Sequence, residues 1–271
     1  MRILHTCEEL AGFRAEPGPL ALVPTMGALH AGHVALVSAA RARCPRVITS
    51  IFVNPTQFRS AEGSAAYPRT EAEDIAKLES SGCDAAWLPA ASDLYPPGDA
   101  TVIEPGGPAL GWEGDARPGH FRGMATVVAK LFGLVRPAVA VFGEKDWQQL
   151  QVVRRMVADL LLPVEIVPVP TVREPDGLAM SSRNRFLTAE ERARAPLLYA
   201  SLRQVAAGAP VEVERAGLEL AGFGVDYLAV VEADTLCLAV TGRVIVAARL
   251  GRVRLLDNLA VPAPGVGKGP G

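Results

Sequence analysis

Hydrophobic residues in the first two thirds of the chain form short continuous runs that alternate with longer amphipathic stretches. Continuous apolar runs are typical of strands buried on both faces, and amphipathic stretches are typical of helices that cover a sheet. The runs predict strands at residues 20–23, 47–53, 85–88, 139–142 and 164–169. The amphipathic stretches predict helices at 34–42, 71–80, 124–135 and 147–161. This alternation indicates an α/β fold with a doubly wound parallel sheet.

The pattern changes after the segment TVREPDGLAMSSRNRFL, where Pro175, Asp176 and Gly177 form a strong turn signal. We place a domain boundary there, which gives domains at residues 1–172 and 173–271. Thr188 and Glu191 form a capping box before a predicted helix that runs to about residue 205. Strands predicted at 226–231 and 243–248 make the second domain a smaller α+β unit. The Pro- and Gly-rich tail, from about residue 262 to 271, is expected to be flexible.

Composition excludes several classes of protein. The 271 residues are 49% hydrophobic and 21% charged, which is too apolar for a disordered chain. A net charge of −2 argues against a protein that wraps nucleic acid. The start, MRILHTCEEL, has no apolar run of the length typical of a signal peptide, and no stretch of about 18 apolar residues appears. We therefore expect a cytoplasmic protein without a membrane segment.

The four cysteines, Cys7, Cys44, Cys83 and Cys237, are far apart and form no CxxC pair. Their spacing therefore predicts neither a disulfide framework nor a zinc site. We expect them to be buried thiols.

The segment PTMGALHAGH, residues 24–33, follows a predicted strand and opens a predicted helix. His30 and His33 share one face there, beside unpaired backbone N–H groups and the positive end of the helix dipole, which together suit a phosphate. Gly27 and Gly32 let the backbone approach a ligand closely. The alternatives are capping or surface histidines, or a zinc site that no nearby Cys or acidic residue completes. The strand, turn and helix context favours phosphate.

The segment SIFVNPTQF, residues 50–58, places Asn54 and Gln57 at the carboxyl end of a strand, where open α/β sheets bind ligands. Their neutral amides can orient a hydroxyl or a carboxylate. An Asn-Pro turn with a solvated Gln explains the same residues equally well.

In VFGEKDWQQL, residues 141–150, Lys145 is one of only four lysines among 27 basic residues. As a compact cation it is placed to meet a phosphoryl oxygen, and Gln148 or Gln149 could face the same crevice. The alternative is a charged helix start.

The segment GLAMSSRN, residues 177–184, carries Ser181, Ser182 and Arg183 in a predicted loop that could close over a triphosphate. The alternative is a Ser-rich linker. No GxSxG nucleophile elbow is present, which argues against a hydrolase.

Together with YPRT at residues 67–70, HFRGMATVV from His120 and the late LLDNL, these segments resemble the pantothenate synthetase family over nearly the whole chain. That family lies within the wider group of HxGH nucleotidylyltransferases and adenylate-forming synthetases. The resemblance implies a Rossmann-like N-terminal domain, a small C-terminal lid domain, a homodimer, Mg²⁺ and ATP as co-substrate. It also implies pantoate and β-alanine as the other substrates.

The same resemblance implies roles for individual residues. His33 is the expected proton donor and His30 stabilises phosphate charge, while Lys145 and Arg183 complete the catalytic set. The expected magnesium residues are Glu73 and Asp74. Pantoate is expected at Gln57, Gln149, Thr25 and Asn54, with β-alanine also at Gln57. ATP is expected at Met26, Gly27, Ala28, Leu29, His30, Ala31, Gly32, His33, Gly143, Glu144, Lys145, Asp146, the backbone of Val172, Met180, Ser181, Ser182 and Arg183.

Two other functions stay open on the sequence. One is a nucleotidylyltransferase that leaves AMP attached to a phosphorylated metabolite. The other is a nucleotide-binding regulatory protein without catalysis. Free AMP that appears only with both pantoate and β-alanine would separate the first from a ligase, and absence of pyrophosphate release would favour the second.

Overall fold

The computed structural model describes residues 1–58 and 67–262. The strands are β1 (Arg2–Leu4), β2 (Leu20–Thr25), β3 (Arg46–Ile51), β4 (Ala85–Trp87), β5 (Val139–Gly143), β6 (Glu165–Val169), β7 (Phe223–Val231), β8 (Gly242–Leu250) and β9 (Val253–Val261). The helices are α1 (Cys7–Ala15), α2 (Ala31–Arg43), α3 (Glu71–Ser80), α4 (Ala91–Leu94), α5 (Glu113–Ala116), α6 (His120–Val135), α7 (Trp147–Asp159), α8 (Ala189–Arg194), α9 (Leu197–Ala206) and α10 (Val211–Leu220).

The first sheet has six strands in the order β1-β4-β3-β2-β5-β6, and every neighbouring pair is parallel. The strand order changes direction at β2, which lies between β3 and β5. The central strands are apolar on both faces, as the consecutive residues Ala21 and Leu22 of β2 and Val47 and Ile48 of β3 are fully buried. The predicted doubly wound, Rossmann-like sheet is confirmed.

The second sheet contains β7, β8 and β9 in antiparallel order. Helices α9 and α10 pack against it. Their shared core includes Leu198, Leu202, Phe223, Val246 and Leu250, all at most 3% exposed. The predicted smaller α+β part is therefore present, and it contains one strand and two helices more than the pattern predicted.

The single helix predicted from Thr188 to about residue 205 is wrong, because two helices occupy this stretch. The capping box is present: Thr188 Oγ1 accepts from the N–H of Glu191, and the Glu191 carboxylate accepts from the N–H of Thr188. Helix α8 ends at Arg194, and α9 begins at Leu197 after Pro196. Proline has no N–H to continue the helical ladder, and its ring clashes with the preceding turn.

Contacts within the chain divide it into two units. The first contains residues 1–144 and 149–170, and the second contains residues 145–148 together with the chain from Thr171 onward. The predicted domains, 1–172 and 173–271, stay a prediction. The flexible tail predicted from about residue 262 lies outside the described residues, apart from Pro262 itself.

The prediction that all four cysteines are buried is wrong for Cys237, which is exposed, and for Cys7, which is half-buried. Cys44 and Cys83 are buried, and burial raises the pKa of both thiols. No helix within the described part of the chain has the length and apolar character needed to cross a bilayer.

Candidate active site

The loop after β2 and the end of β5 lie at the point where the sheet reverses its strand order. Strands β2 and β5 are direct neighbours, with Ala21 opposite Val139 and Leu22 opposite Ala140. In open α/β sheets, ligands bind outside the carboxyl ends of the strands at such a switch point. The segment HAGH, residues 30–33 and called the HxGH segment below, and Gly143 are therefore placed where this fold binds small molecules.

The two histidines of the HxGH segment form a reciprocal cap at the start of α2. Nδ1 of His30 accepts the N–H of Gly32 at 3.1 Å, and Nδ1 of His33 accepts the N–H of His30 at 3.2 Å. The ring centroids lie 4.2 Å apart. The sequence was therefore right that the rings share one side of the helix start, and the capping alternative is also correct.

The capping hydrogen bonds fix the tautomer of both neutral rings. A backbone N–H can only donate, so each Nδ1 is an acceptor and the neutral ring carries its proton on Nε2. Each imidazole is thus oriented as an Nε2–H donor. The N–H groups of Gly32 and His33 are not left for a phosphate as the sequence suggested, because ring and backbone atoms of His30 accept them. The imidazoles, rather than these N–H groups, are the donors suited to phosphate.

Asp74 braces the loop that leads to these histidines. Its carboxylate accepts the N–H of Ala28 at 2.8 Å and of Leu29 at 2.7 Å, and also the hydroxyl of Thr70 at 3.1 Å. The side chain holds a turn in which Gly27 and Ala28 have φ of 85° and 52°. A Cβ on Gly27 would lie 3.1 Å from Asp74 Oδ2, so this close approach favours glycine.

The expected magnesium pair, Glu73 and Asp74, does not converge on one point. Asp74 is 1% exposed and uses both carboxylate oxygens on backbone N–H groups. Glu73 is exposed on the surface of α3 and pairs with Lys77 at 3.6 Å. Within residues 1–58 and 67–262, no three His, Cys, Asp or Glu side chains form a group that could hold a metal ion. Asp74 therefore supports the HxGH loop.

Asp74→Asn is expected to lower the free energy of unfolding by about 1–3 kcal/mol, because the new amide NH₂ would face a buried backbone N–H. Chemical denaturation measures this change. The neighbouring Glu73→Gln is the matched control and is expected to stay within about 0.5 kcal/mol, since it removes only an exposed ion pair. Equal effects of the two substitutions, or a raised Mg²⁺ requirement in Glu73→Gln, would contradict the assignment.

The turn after β3 is built around Asn54, which is 1% exposed. Its Nδ2 donates to Oε1 of Gln57 at 3.0 Å and to the carbonyl of Gly123 at 3.1 Å. Its Oδ1 accepts the N–H of Thr56 at 3.3 Å and the hydroxyl of Tyr95 at 2.7 Å. Burial raises the pKa of Tyr95, so that hydroxyl stays protonated. Gln57 is only 8% exposed, so the alternative of a solvated Gln is wrong.

The other residues expected at pantoate differ in accessibility. Thr25 Oγ1 donates to the carbonyl of Ser50 at 2.7 Å and accepts the N–H of Gly27 at 3.3 Å, which ties β2 to β3. On α7, Gln148 is 5% exposed, whereas Gln149 is half-buried. Of the two glutamines that the sequence left open, Gln149 is the more accessible.

The second unit contains a pocket that joins two of the predicted segments. Lys145 lines it with Ser181 and Arg183 from the GLAMSSRN segment. Arg254 on β9 lines it as well and was missed from the sequence. The predicted residues Val172 and Met180 pair by a hydrogen bond of 3.0 Å between the Met180 N–H and the Val172 carbonyl. Arg254 pairs with Asp226 at 2.6 Å, so Lys145 and Arg183 are the cations of this pocket that suit an anionic ligand.

The late LLDNL motif holds these segments in place. Asp257 accepts two hydrogen bonds from Arg173, at 2.6 and 2.9 Å, and Arg173 stacks on the ring of Tyr199. Asn258 Nδ2 donates to the carbonyl of Lys145 at 2.8 Å. Burial raises the pKa of Asp257, and the hydrogen bonds from Arg173 oppose this rise. Because the loss of hydration of a buried ion pair offsets most of its attraction, the pair fixes geometry more than it adds stability. The motif was visible in the sequence, but its role was not.

Comparisons with known proteins agree with this architecture. The model of the pantoate-beta-alanine ligase family matches residues 2–260. A pantothenate synthetase from Granulibacter bethesdensis is 60% identical, covering 89% of this chain and 88% of its own, and one from Acidiphilium cryptum is 56% identical, covering 96% and 100%.

Two solved structures extend the comparison to the fold. A pantothenate synthetase from Thermus thermophilus has 49% identity and a TM-score of 0.89, covering 96% of this chain and 99% of its own. A pantoate-beta-alanine ligase from Francisella tularensis, complexed with beta-gamma ATP and beta-alanine, has 35% identity and a TM-score of 0.86, covering 96% and 97%. With a family match over nearly its whole length and relatives of this similarity, the chain belongs to the pantoate–β-alanine ligase, or pantothenate synthetase, family.

Proposed function

We propose that this ligase makes pantothenate from pantoate, β-alanine and ATP by adenylation. A carboxylate oxygen of pantoate attacks the α-phosphorus of ATP, which forms pantoyl adenylate and releases pyrophosphate. The β-alanine amine then attacks the acyl carbon, loses a proton and displaces AMP. The observation that carries this proposal is the histidine pair at the switch point, whose capped Nδ1 atoms orient two Nε2–H donors.

The nucleotide residues are proposed to act by charge and position. Phosphoryl transfer mainly requires alignment and stabilisation of charge on the moving oxygens. His33 donates a hydrogen bond from its Nε2–H to the phosphate oxygens as pyrophosphate leaves, because a neutral ring whose Nδ1 accepts a backbone N–H has no acidic proton to transfer. His30 stabilises phosphate charge. Lys145 and Arg183 supply compensating cations, supported by their place on one pocket of the second unit. The remaining contacts to ATP are assigned to residues 26–33, 143–146, 172 and 180–183.

The organic substrates are proposed to bind through neutral amides. Gln57 and Gln149 hold pantoate, and Gln57 also lies beside the incoming β-alanine. An amide NH₂ donates hydrogen bonds to a carboxylate without neutralising it, so the pantoate oxygen keeps its nucleophilic charge. Thr25 shapes the edge of this site, supported by its bond to Ser50.

Magnesium is proposed to arrive on ATP. The residues that the family likeness offered for it, Glu73 and Asp74, do not form a common site, and Mg²⁺ commonly binds through substrate phosphates while it keeps several waters. The homodimer stays a prediction, and light scattering in solution tests it by measuring the molecular mass. The cytoplasmic location stays a prediction from the sequence.

Oxygen transfer from labelled pantoate tests the adenylation step. With ¹⁸O in the pantoate carboxylate, the attacking oxygen becomes part of the phosphoryl group, so one label is expected in AMP by mass spectrometry. Pyrophosphate release is expected only when pantoate is present, and AMP only after β-alanine is added. Label in inorganic phosphate, or none in AMP, would exclude adenylation. A reaction without β-alanine is the control for hydrolysis.

A further inference from the structure

Asn54 directs all of its hydrogen-bonding atoms into the protein. The Nδ2 group donates twice, and Oδ1 accepts from Thr56 N–H, from the Thr56 hydroxyl at 3.0 Å and from Tyr95. With 1% of its surface exposed, the side chain is buried on every side. Asn54 is therefore suited to act on pantoate through another residue.

The partners of Asn54 permit only one orientation of its amide. The Thr56 N–H can only donate, and the Gly123 carbonyl can only accept, so Oδ1 must face the first and Nδ2 the second. The second hydrogen of Nδ2 then requires an acceptor on Gln57. This acceptor is Oε1, so the Gln57 Nε2 group points away from Asn54 and lies 3.1 Å from the sulfur of Met26.

We infer that Asn54 is a positioning residue that fixes the amide of Gln57 with its NH₂ group, rather than its carbonyl, presented to substrate carboxylate. This inference rests on the proposed binding of pantoate by Gln57. A carboxylate requires donors, and a reversed amide would place one oxygen against another. The Thr56 N–H and the Gly123 carbonyl thus orient the Asn54 amide, and the Asn54 amide orients that of Gln57. Through this chain of hydrogen bonds, two backbone groups favour an anionic substrate at Gln57.

Asn54→Asp tests the inference by replacing one donor group, the Nδ2 amide, with an acceptor oxygen. The carboxylate keeps an oxygen for Thr56 and Tyr95 but places an oxygen where Nδ2 was. Gln57 then donates its NH₂ to Asp at position 54 and turns Oε1 toward the substrate. We expect KM for pantoate to rise on the order of 10- to 100-fold, as for loss of a hydrogen bond to a charged group, with KM for ATP changed by less than about threefold. Steady-state pyrophosphate release measures both constants.

Tyr95→Phe is the matched control. It removes one donor from the same Oδ1, while the Thr56 N–H still fixes the orientation of the amide. KM for pantoate is expected to stay within about threefold of the original value if one hydrogen bond of ordinary strength is lost away from the substrate. An equal rise in both variants would indicate a packing effect and overturn the inference.

Asn54→Ser and Gln57→Ala keep the inference testable if Asn54→Asp does not fold. Asn54→Ser keeps an acceptor for the Thr56 N–H but leaves Gln57 free to adopt both orientations, so a smaller rise in KM for pantoate is expected. Gln57→Ala tests the proposed function separately. If Gln57→Ala raises KM for pantoate and neither Asn54 variant does, the inference about Asn54 is wrong; if Gln57→Ala changes nothing, the proposed pantoate site is wrong.

Discussion

Replacement of His33 or Lys145 by alanine is expected to lower kcat on the order of 10² to 10³ or more, as when an enzyme loses one group that stabilises charge in the transition state. His33 is held as an Nε2–H donor by its bond to the His30 N–H, and the Lys145 backbone is held by Asn258. Single-turnover release of pyrophosphate measures the adenylation step directly.

The histidine needs a variant that separates its two roles, because His33→Ala also removes a cap. His33→Asn keeps a side-chain oxygen that can accept the His30 N–H, but it lacks the ring Nε2–H donor. We expect the free energy of unfolding of His33→Asn to stay within about 1 kcal/mol, while kcat falls as in the alanine variant. Loss of stability without loss of kcat would mean that His33 serves only as a cap.

Surface residues of the same types are the controls for charge and residue type. His5 is exposed, and Lys77 pairs with Glu73 on the surface of α3. His5→Ala and Lys77→Ala are each expected to leave kcat within about twofold, as is usual for substitutions away from a functional feature. Near-normal turnover in His33→Ala and Lys145→Ala would remove the roles assigned to them.

Gly123→Ala is expected to destabilise the first unit by about 1–3 kcal/mol or more, because the new Cβ would overlap backbone atoms that cannot rotate away. The Cβ would lie 2.4 Å from the Thr56 carbonyl oxygen and 2.7 Å from the Gln57 nitrogen. Helix α6 and the Asn54 turn would have to separate. Since this turn carries Gln57, KM for pantoate is also expected to rise.

Gly133→Ala lies in the same helix and is the matched control. Its Cβ would meet no atom within 4 Å. There the loss of glycine is expected to stabilise the helix by about 0.5–1 kcal/mol. Thermal and chemical unfolding of both variants should therefore give changes of opposite sign. Similar changes at the two positions would mean that the close approach at Gly123 does not determine stability.

The alternation of apolar runs and amphipathic stretches was enough to predict five of the six strands of the parallel sheet. It was not enough for β1, which has three residues and is too short to show a period. Strand β9 was missed because Asp257 and Asn258 interrupt its apolar pattern. Both are buried there, with Arg173 and the Lys145 carbonyl as partners, and the pattern holds no information about those partners.

The sequence by itself determined the α/β fold. It also predicted that the HxGH segment, NPTQ at residues 54–57 and GEKD at residues 143–146 lie at the carboxyl ends of strands. It could do so because strand and helix periods and turn residues are local properties. The tertiary structure alone decided the roles of Asp74, Asn54 and Asp257. Their partners lie 46, 69 and 84 residues away in the chain. A buried polar side chain takes its role from these distant partners, so only the folded chain reveals it.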